Sequence, residues 1–260
     1  MKIALVHDHF AQEGGAEKVF KTFTEIYPQA PIYTLLYNPG YIDRYFPRRR
    51  IFSTIIQILP LGISKYQWYM PLMPAAIESL NLQSYEAVIS SASSFAKGII
   101  TKPSAVHICY CHTPTRYLWH YSQQYLQELR LPNFLKQLIS YEVSRIRSWD
   151  KLAAERVDWF IANSRTTQER IKKYYGRDSK IIYPPVEVNK FNLSQNISNY
   201  FLAGSRFIPH KRLDLAIQAF NKLNIHLKIF GDGPDWKRLK KMARANIEFL
   251  GKITEAEKVN

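Results

Sequence analysis

Four stretches of the 260-residue chain hold residue types that can grip a phosphate or meet a ligand hydroxyl. Gly14 and Gly15 sit in the run QEGGAEK, between an apolar stretch and a helix-like one. Glycines there let backbone amides approach an anion at the positive end of a helix. The run is not the G-x-G-x-x-G dinucleotide fingerprint, and a tight turn with no ligand explains it equally well. His112 follows the apolar stretch 106–111, where a neutral imidazole can hydrogen-bond a hydroxyl or a phosphate. At period 2, His107, Cys109 and Cys111 share a face near His112, so a zinc site stands as an alternative. Zinc favours C-x-x-C turns on loops, however, and strand cysteines are common as small hydrophobes. In SRFIPHKR, residues 205–212, Arg206 sits at a strand end and Lys211 where a helix is expected to begin. Two cations at a helix N-terminus suit a diphosphate; solvated helix cations are the alternative, but a cation there is mildly unfavourable without an anion, which favours the ligand reading. Gly231-Asp232-Gly233-Pro234 is a turn at another strand end, where glycines also permit close backbone approach to a nucleotide.

The elements that must position these residues alternate. Residues 2–6 read as a buried strand, and apolar positions 16, 19, 20, 23 and 26 have helical spacing. Asp8, His7 and His9 end that first strand. Further strands are expected at 32–37, 87–91, 106–111, 159–162 and 180–183. The aromatic-rich stretch 64–82 reads as helix in pieces, broken by Pro71 and Pro74. Residues 133–156 read as one long helix, and Ser164 as the N-cap of a helix through Tyr175. This alternation predicts an α/β fold with a parallel, doubly wound sheet. Tyr183-Pro184-Pro185 stops the pattern. The expected organisation is therefore a domain over 1–183, a linker over 184–198 and a second domain over 199–260. The second alternation has strands at 200–204, 226–230 and 247–250 and helices at 211–223 and 236–245. That is half of a doubly wound domain, so the chain is expected to be truncated.

Composition narrows the class. Hydrophobic residues make up 46% and charged residues 22%, enough for a core and against disorder. Two cysteines cannot staple a domain of this size. The longest apolar-rich stretch, 51–63, is too short to span a bilayer, and MKIALVHDHF is not a signal peptide. The formal charge of +15 divides into +9 over residues 1–182 and +6 over 183–260. Such spread charge suits phosphate-bearing ligands, nucleic acid or an anionic membrane surface, or simply a solvated basic exterior. Arginines 48, 49 and 50 followed by Phe52, Tyr66, Trp68, Tyr69 and Met70 form a basic and aromatic mixture that suits a membrane interface or single-stranded nucleic acid, and core aromatics with solvated arginines explain it equally well.

Taken together, the pieces MKIALVHDHFAQEGGAEKV, CYCHTPTRYLW, WFIANSRTTQERIKKYYG, IIYPPVEVNKF, GSRFIPHKRLDLAIQAFNKL and IFGDGP are specific. Their order and spacing resemble the group 1 family of retaining, sugar-nucleotide-dependent glycosyltransferases with the GT-B fold. The resemblance implies two Rossmann-like domains, the first for the acceptor and the second, incomplete here, for the nucleotide-sugar donor. It implies that Gly14 and Gly15 lie near the donor phosphates and that His112 lies near the transferred sugar. It implies also that Arg206 and Lys211 neutralise the diphosphate, and that Gly231, Asp232 and Gly233 lie near the nucleotide. No metal or other cofactor is implied, because the cations and helix amides take that role. The resemblance implies also that stereochemistry is retained by front-face attack on an ion-pair-like state, with the leaving diphosphate helping to deprotonate the acceptor. The family's Glu-x7-Glu motif has no match, so the chain is expected to end before it. The CHTPTRYLW form points towards surface-polysaccharide assembly and mannosyl transfer to a saccharide or lipid-linked acceptor. The expected location is the cytoplasm, with peripheral docking to anionic lipid and no nucleic-acid partner. An inactive remnant of the family, or a basic protein that binds nucleic acid or anionic surfaces, stand as alternatives.

Overall fold

The computed structural model describes residues 1–11, 14–129, 131–191, 198–254 and 257. The chain divides into two compact units, Met1–Pro185 and Val186–Asn260. Residues 192–197 of the expected linker lie outside the described residues, as does most of the stretch 255–260.

Unit one is built on seven parallel strands. They are β1 (Ile3–His7), β2 (Ile32–Thr34), β3 (Ile51–Ser53), β4 (Ala87–Ala92), β5 (Val106–Cys111), β6 (Trp159–Ala162) and β7 (Ser179–Ile181). The spatial order is β3-β2-β1-β4-β5-β6-β7. Chain order therefore reverses on either side of β1, which opens a crevice at the carboxyl ends of β1 and β4. The central strands are covered on both faces, which is why Ala4, Leu5 and Val6 are all fully buried rather than alternating. One apolar cluster holds Val6, Val88, Cys109 and Ile146, and the other holds Leu5, Phe10, Phe20 and Ile32.

The covering helices are α1 (Gly15–Ile26), α2 (Pro39–Tyr45), α3 (Met73–Glu78), α4 (Ser122–Glu128), α5 (Asn133–Glu155) and α6 (Arg165–Tyr175). Helix α6 starts where Ser164 Oγ accepts the Thr167 amide at 3.2 Å and stops at Gly176, whose φ of 68° only glycine adopts readily. Helix α5 buries Val143, Ile146, Asp150 and Ala154, a spacing that marks one face.

Three expectations change. Pro71 does not break its segment: it lies within the 3-10 helix Tyr66–Leu72, and Pro74 opens α3, where a missing N–H costs nothing. The second strand ends at Thr34, and the short β3 pairs beside it. Of the three arginines before β3, Arg49 turns inward. Its guanidinium donates to the carbonyls of Tyr27 and Ala30, both at 3.0 Å, and of Pro28, closing the end of α1.

Unit two contains β8 (Phe201–Gly204), α7 (Leu213–Leu223), β9 (Leu227–Phe230), α8 (Trp236–Met242) and β10 (Ile247–Gly251). The strands are parallel in the order β10-β9-β8. Leu213, Ile217, Ile229, Leu239 and Ile247 form its core with Phe207. The alternate residues Leu202, Lys228 and Glu248 sit in register on the opposite face, with Lys228 Nζ 3.7 Å from the Glu248 carboxylate. Helix α7 begins later than the sequence suggests. Arg212 takes a left-handed conformation, φ 52°, at its N-cap, so Lys211 belongs to the preceding 3-10 turn Pro209–Lys211.

Candidate functional site

The crevice of unit one gathers side chains from two register partners, His7 on β1 and Ser91 on β4. Ser91 Oγ lies 3.1 Å from His7 Nδ1 and 2.8 Å from His112 Nε2. Glu17, in the first turn of α1, places its carboxylate 3.6 Å from His7 Nε2. The result is a chain of polar groups, Glu17–His7–Ser91–His112, that crosses the switch point. One hydroxyl proton serves two imidazoles, so the chain has a direction. With Nε2–H of His7 facing Glu17, Nδ1 accepts the Ser91 hydroxyl, and Ser91 Oγ accepts Nε2–H of His112. His112 Nδ1 is then the lone pair left for a ligand.

The backbone around His112 is held from both sides. Its carbonyl accepts Asn163 Nδ2 at 2.9 Å and Thr167 Oγ1 at 3.1 Å, and its amide donates to Ala92 at 2.9 Å. Asp8 reaches the next loop, where its carboxylate accepts the amides of Ser93 at 2.6 Å and Ala96 at 2.7 Å. The segment after His112 is anchored by Asp150 of α5. This buried carboxylate accepts Thr115 Oγ1 at 2.9 Å, Trp119 Nε1 at 2.8 Å and Tyr175 OH at 2.8 Å, and pairs with buried Lys97. Two polar residues of CHTPTRYLW are therefore scaffold, and the motif's rigidity comes from α5.

Burial sets the protonation of this region. It pushes His112 down to about 4, aided by the nearby His7, and pushes His107 down to about 4 as well. Burial alone would raise the Glu17 carboxyl, but the facing His7 ring N–H outweighs it and holds it below its usual range. A histidine kept neutral in the folded state binds its proton only on unfolding, so stability present at neutral pH is lost as pH falls. We expect each of His107 and His112 to contribute about 1.4 kcal/mol of loss per pH unit between about 6.5 and about 4. Urea midpoints measured across that range test this, and a flat profile would refute it. His107→Gln should remove one share of the slope.

Gly14 is the N-cap of α1, extended at φ −163° and without a side-chain cap. A Cβ on it would stand 2.8 Å from Glu17 Oε2. The first claim on that space is therefore a carboxylate, and Gly14 gives Glu17 room to reach His7. A Cβ on Gly15 would meet nothing within 4 Å. Cys109 and Cys111 are buried free thiols, and His107 Nε2 pairs with Ser90 Oγ at 2.8 Å. Among the described residues no group of three His, Cys, Asp or Glu side chains is placed to hold a metal ion.

In unit two the loops after β8 and β9 lie backbone against backbone. The Phe207 amide donates to the Asp232 carbonyl at 2.8 Å. A Cβ on Gly231 would stand 1.9 Å from the Ser205 carbonyl oxygen, and one on Gly233 2.5 Å from that of Phe207. Both glycines also have positive φ, 129° and 153°, so close approach and conformation demand them together. Phe207 stacks on Trp236 at 5.4 Å and fixes the pair of loops. This brings Arg206 and the 231–233 turn to one edge of the small sheet, with Arg206, Lys211 and Asp232 exposed. Arg212 pairs with Asp214 at 3.1 Å. A cavity of about 520 Å³ lies elsewhere in unit one, beside α4 and α5, with Trp119, Gln123, Arg147 and Tyr174 in its wall.

Sequence reasoning placed His7, Asp8 and His112 at strand ends. It passed over Ser91, Glu17, Lys97 and Asp150. The run Ser90-Ser91 carries the only available signal, two hydroxyls ending an otherwise apolar strand.

No curated protein matches the sequence. Among solved structures, HepE of Anabaena in complex with UDP is 17% identical, with a TM-score of 0.61 over 98% of this chain and 70% of its own. Sucrose-phosphate synthase from Thermosynechococcus elongatus is 12% identical, with a TM-score of 0.69 over 100% of this chain and 72% of its own. UDP-N-acetylglucosamine 2-epimerase from Rickettsia bellii is 11% identical, with a TM-score of 0.53 over 98% and 70%. Likeness at this identity shows the fold, which is GT-B, and the epimerase shows that the fold alone does not decide the reaction. The sequence decides more: the family model matches residues 13–190, over half of the chain, and the chain belongs to Glycosyltransferase Family 4.

Proposed function

We propose that this protein transfers a sugar, with retention, from a nucleoside diphosphate donor to a saccharide or lipid-linked acceptor in surface-polysaccharide assembly. The observation that carries the reading is His112, held neutral by burial at the carboxyl edge of the sheet with one ring nitrogen tied to Ser91. In the proposed reaction the bond from the anomeric carbon to the diphosphate breaks, and a bond to the acceptor oxygen forms on the same face. The acceptor proton leaves with the diphosphate. A histidine whose affinity for protons is this low is a poor base at neutral pH, which favours the leaving group for that task. His112 Nδ1 instead accepts a hydroxyl of the transferred sugar. Arg206 and Lys211 supply positive charge to the diphosphate without a metal, and the 231–233 turn brings backbone close to the nucleotide. Gly15 leaves the start of α1 open to a phosphate.

The probe is UDP, the nucleotide in the HepE structure. Both cations are exposed, so alanine at either leaves the core intact. We expect Arg206→Ala and Lys211→Ala each to weaken UDP binding about 10- to 100-fold by calorimetry, the range for a charge-assisted contact. Unchanged affinity in both variants would overturn the donor site. A panel of UDP- and GDP-sugars tests the mannosyl expectation, and the anomeric configuration of the product by NMR tests retention.

A further inference from the structure

Helices α4 and α5, with the end of α6, line the cavity of about 520 Å³, which is the size of a small-ligand site. None of its lining residues belongs to the polar chain at β1 and β4. Helix α5 contributes Ser140, Ser144 and Arg147, which the helical period sets in one stripe beside the buried Val143 and Ile146. Helix α4 contributes Gln123. The rest of the wall is largely aromatic. Trp119 stacks on Tyr174 with ring centroids 5.0 Å apart, and His120 lies nearly parallel to Tyr174 at 6.3 Å.

Two of these groups are held from behind. The Trp119 indole N–H donates to Asp150 at 2.8 Å, which fixes the ring. Arg147 donates its Nε–H to the Leu118 carbonyl, and its terminal nitrogens make no hydrogen bond or ion pair among the described residues. A guanidinium tethered in this way keeps two parallel N–H donors for a carboxylate. No Asp or Glu lines the cavity, and Arg147 is the one permanently charged side chain of its wall among the described residues. The surroundings are also cationic. Burial, Arg170 and Arg116 hold the His120 imidazole below its usual range, and Lys173 Nζ stands 5.8 Å from the centre of the Tyr174 ring.

The lining selects a ligand class. A pyranose is apolar on its C–H faces and hydroxylated around its rim, which suits aromatic rings beside serine hydroxyls and an amide. A purely apolar ligand would leave the serines and the guanidinium unpaired, and a bare anion would leave the rings unused. We propose that this cavity is a saccharide site apart from the crevice, for a sugar that bears a carboxylate, with the carboxylate on Arg147 and the ring against Trp119 and Tyr174. The inference rests on the cavity's own lining, so it stands or falls separately from the transfer reading.

The test is calorimetry of the full chain with trigalacturonate, with maltotriose as the neutral saccharide and inorganic phosphate as the anion without a sugar. We expect trigalacturonate to bind about 10- to 100-fold more tightly than maltotriose, the range for one charge-assisted contact. Arg147→Gln should abolish that preference and leave maltotriose binding within about threefold. Ser144→Phe, at an exposed position, fills the cavity from α5 and should remove binding of both saccharides. Circular dichroism and the urea midpoint establish that each variant is folded, and Ser144→Phe decides the matter if Arg147→Gln is not. Saturating UDP should leave trigalacturonate binding unchanged. No binding of trigalacturonate up to about 10 mM overturns the proposal, as does equal affinity for maltotriose or for phosphate. Undiminished binding by folded Ser144→Phe, or displacement by UDP, overturns it too, because the saccharide would then sit elsewhere.

Discussion

Alanine at position 150 is expected to destabilise unit one by about 3–5 kcal/mol, the cost of stranding a buried charge. Asp150 and Lys97 are both essentially without solvent contact, at 0% and 1% exposure. Burial by itself would lower the Lys97 ammonium, yet the Asp150 carboxylate more than restores it, so Lys97 titrates above its usual range and stays charged. Removing the carboxylate leaves that ammonium, the Trp119 indole and two hydroxyls facing an apolar space. The damage should be directional. Thr115 and Trp119 belong to the segment after His112, so amides of residues 113–119 should lose hydrogen-exchange protection before the central strands do. Replacing both partners, Asp150→Leu with Lys97→Met, should recover most of the loss, because a buried pair is worth little more than well-packed apolar residues. A cost under about 1 kcal/mol for Asp150→Ala, measured by urea unfolding, would show that the pair is not desolvated as described.

That network explains why part of the site was legible in the sequence and part was not. Strand ends can be read from apolar runs, and His7, Asp8 and His112 were found because they follow such runs directly. Asp150 was not, because it stands in a long helix of mixed charge where a carboxylate on any face looks solvated. Lys97, in SSFAKGII, has no periodic relation to a residue 53 positions away. Glu17 illustrates the same limit: QEGGAEK reads as an anion-binding helix start, and only the fold shows that the helix supplies its own anion to His7. The start of α7 was misplaced for a local reason. Lys211 and Arg212 have good helix propensity, but the chain leaves Pro209 through a 3-10 turn and a left-handed Arg212, a detour that propensity does not register. The glycines of GDGP were legible as a turn, while the reason for them lies in the carbonyls of residues 205 and 207, across the sheet.

Alanine at position 112 is expected to reduce turnover of a nucleotide-sugar donor about 100- to 1000-fold while leaving UDP affinity within about threefold, as for loss of one polar contact made chiefly at the reacting centre. UDP release from the donor, compared with calorimetric UDP binding, separates the two. The variant alone does not show that the polar chain behind His112 has a function, because alanine removes contact and orientation together. Ser91→Ala does. It leaves the imidazole in place and removes the group that assigns its tautomer, so kcat should fall about tenfold with KM little changed. Glu17→Gln tests the direction of the chain. An amide can offer His7 Nε2 either a donor or an acceptor, so Ser91 is no longer committed, and part of the population presents N–H instead of a lone pair at His112 Nδ1. The expected signature is lower kcat together with an altered pH profile, at unchanged UDP affinity. If His112→Ala turns over as fast as the wild type, the crevice at β1 and β4 is not where the sugar is transferred. If only the Ser91 and Glu17 variants are silent, His112 acts by contact and the chain behind it is packing.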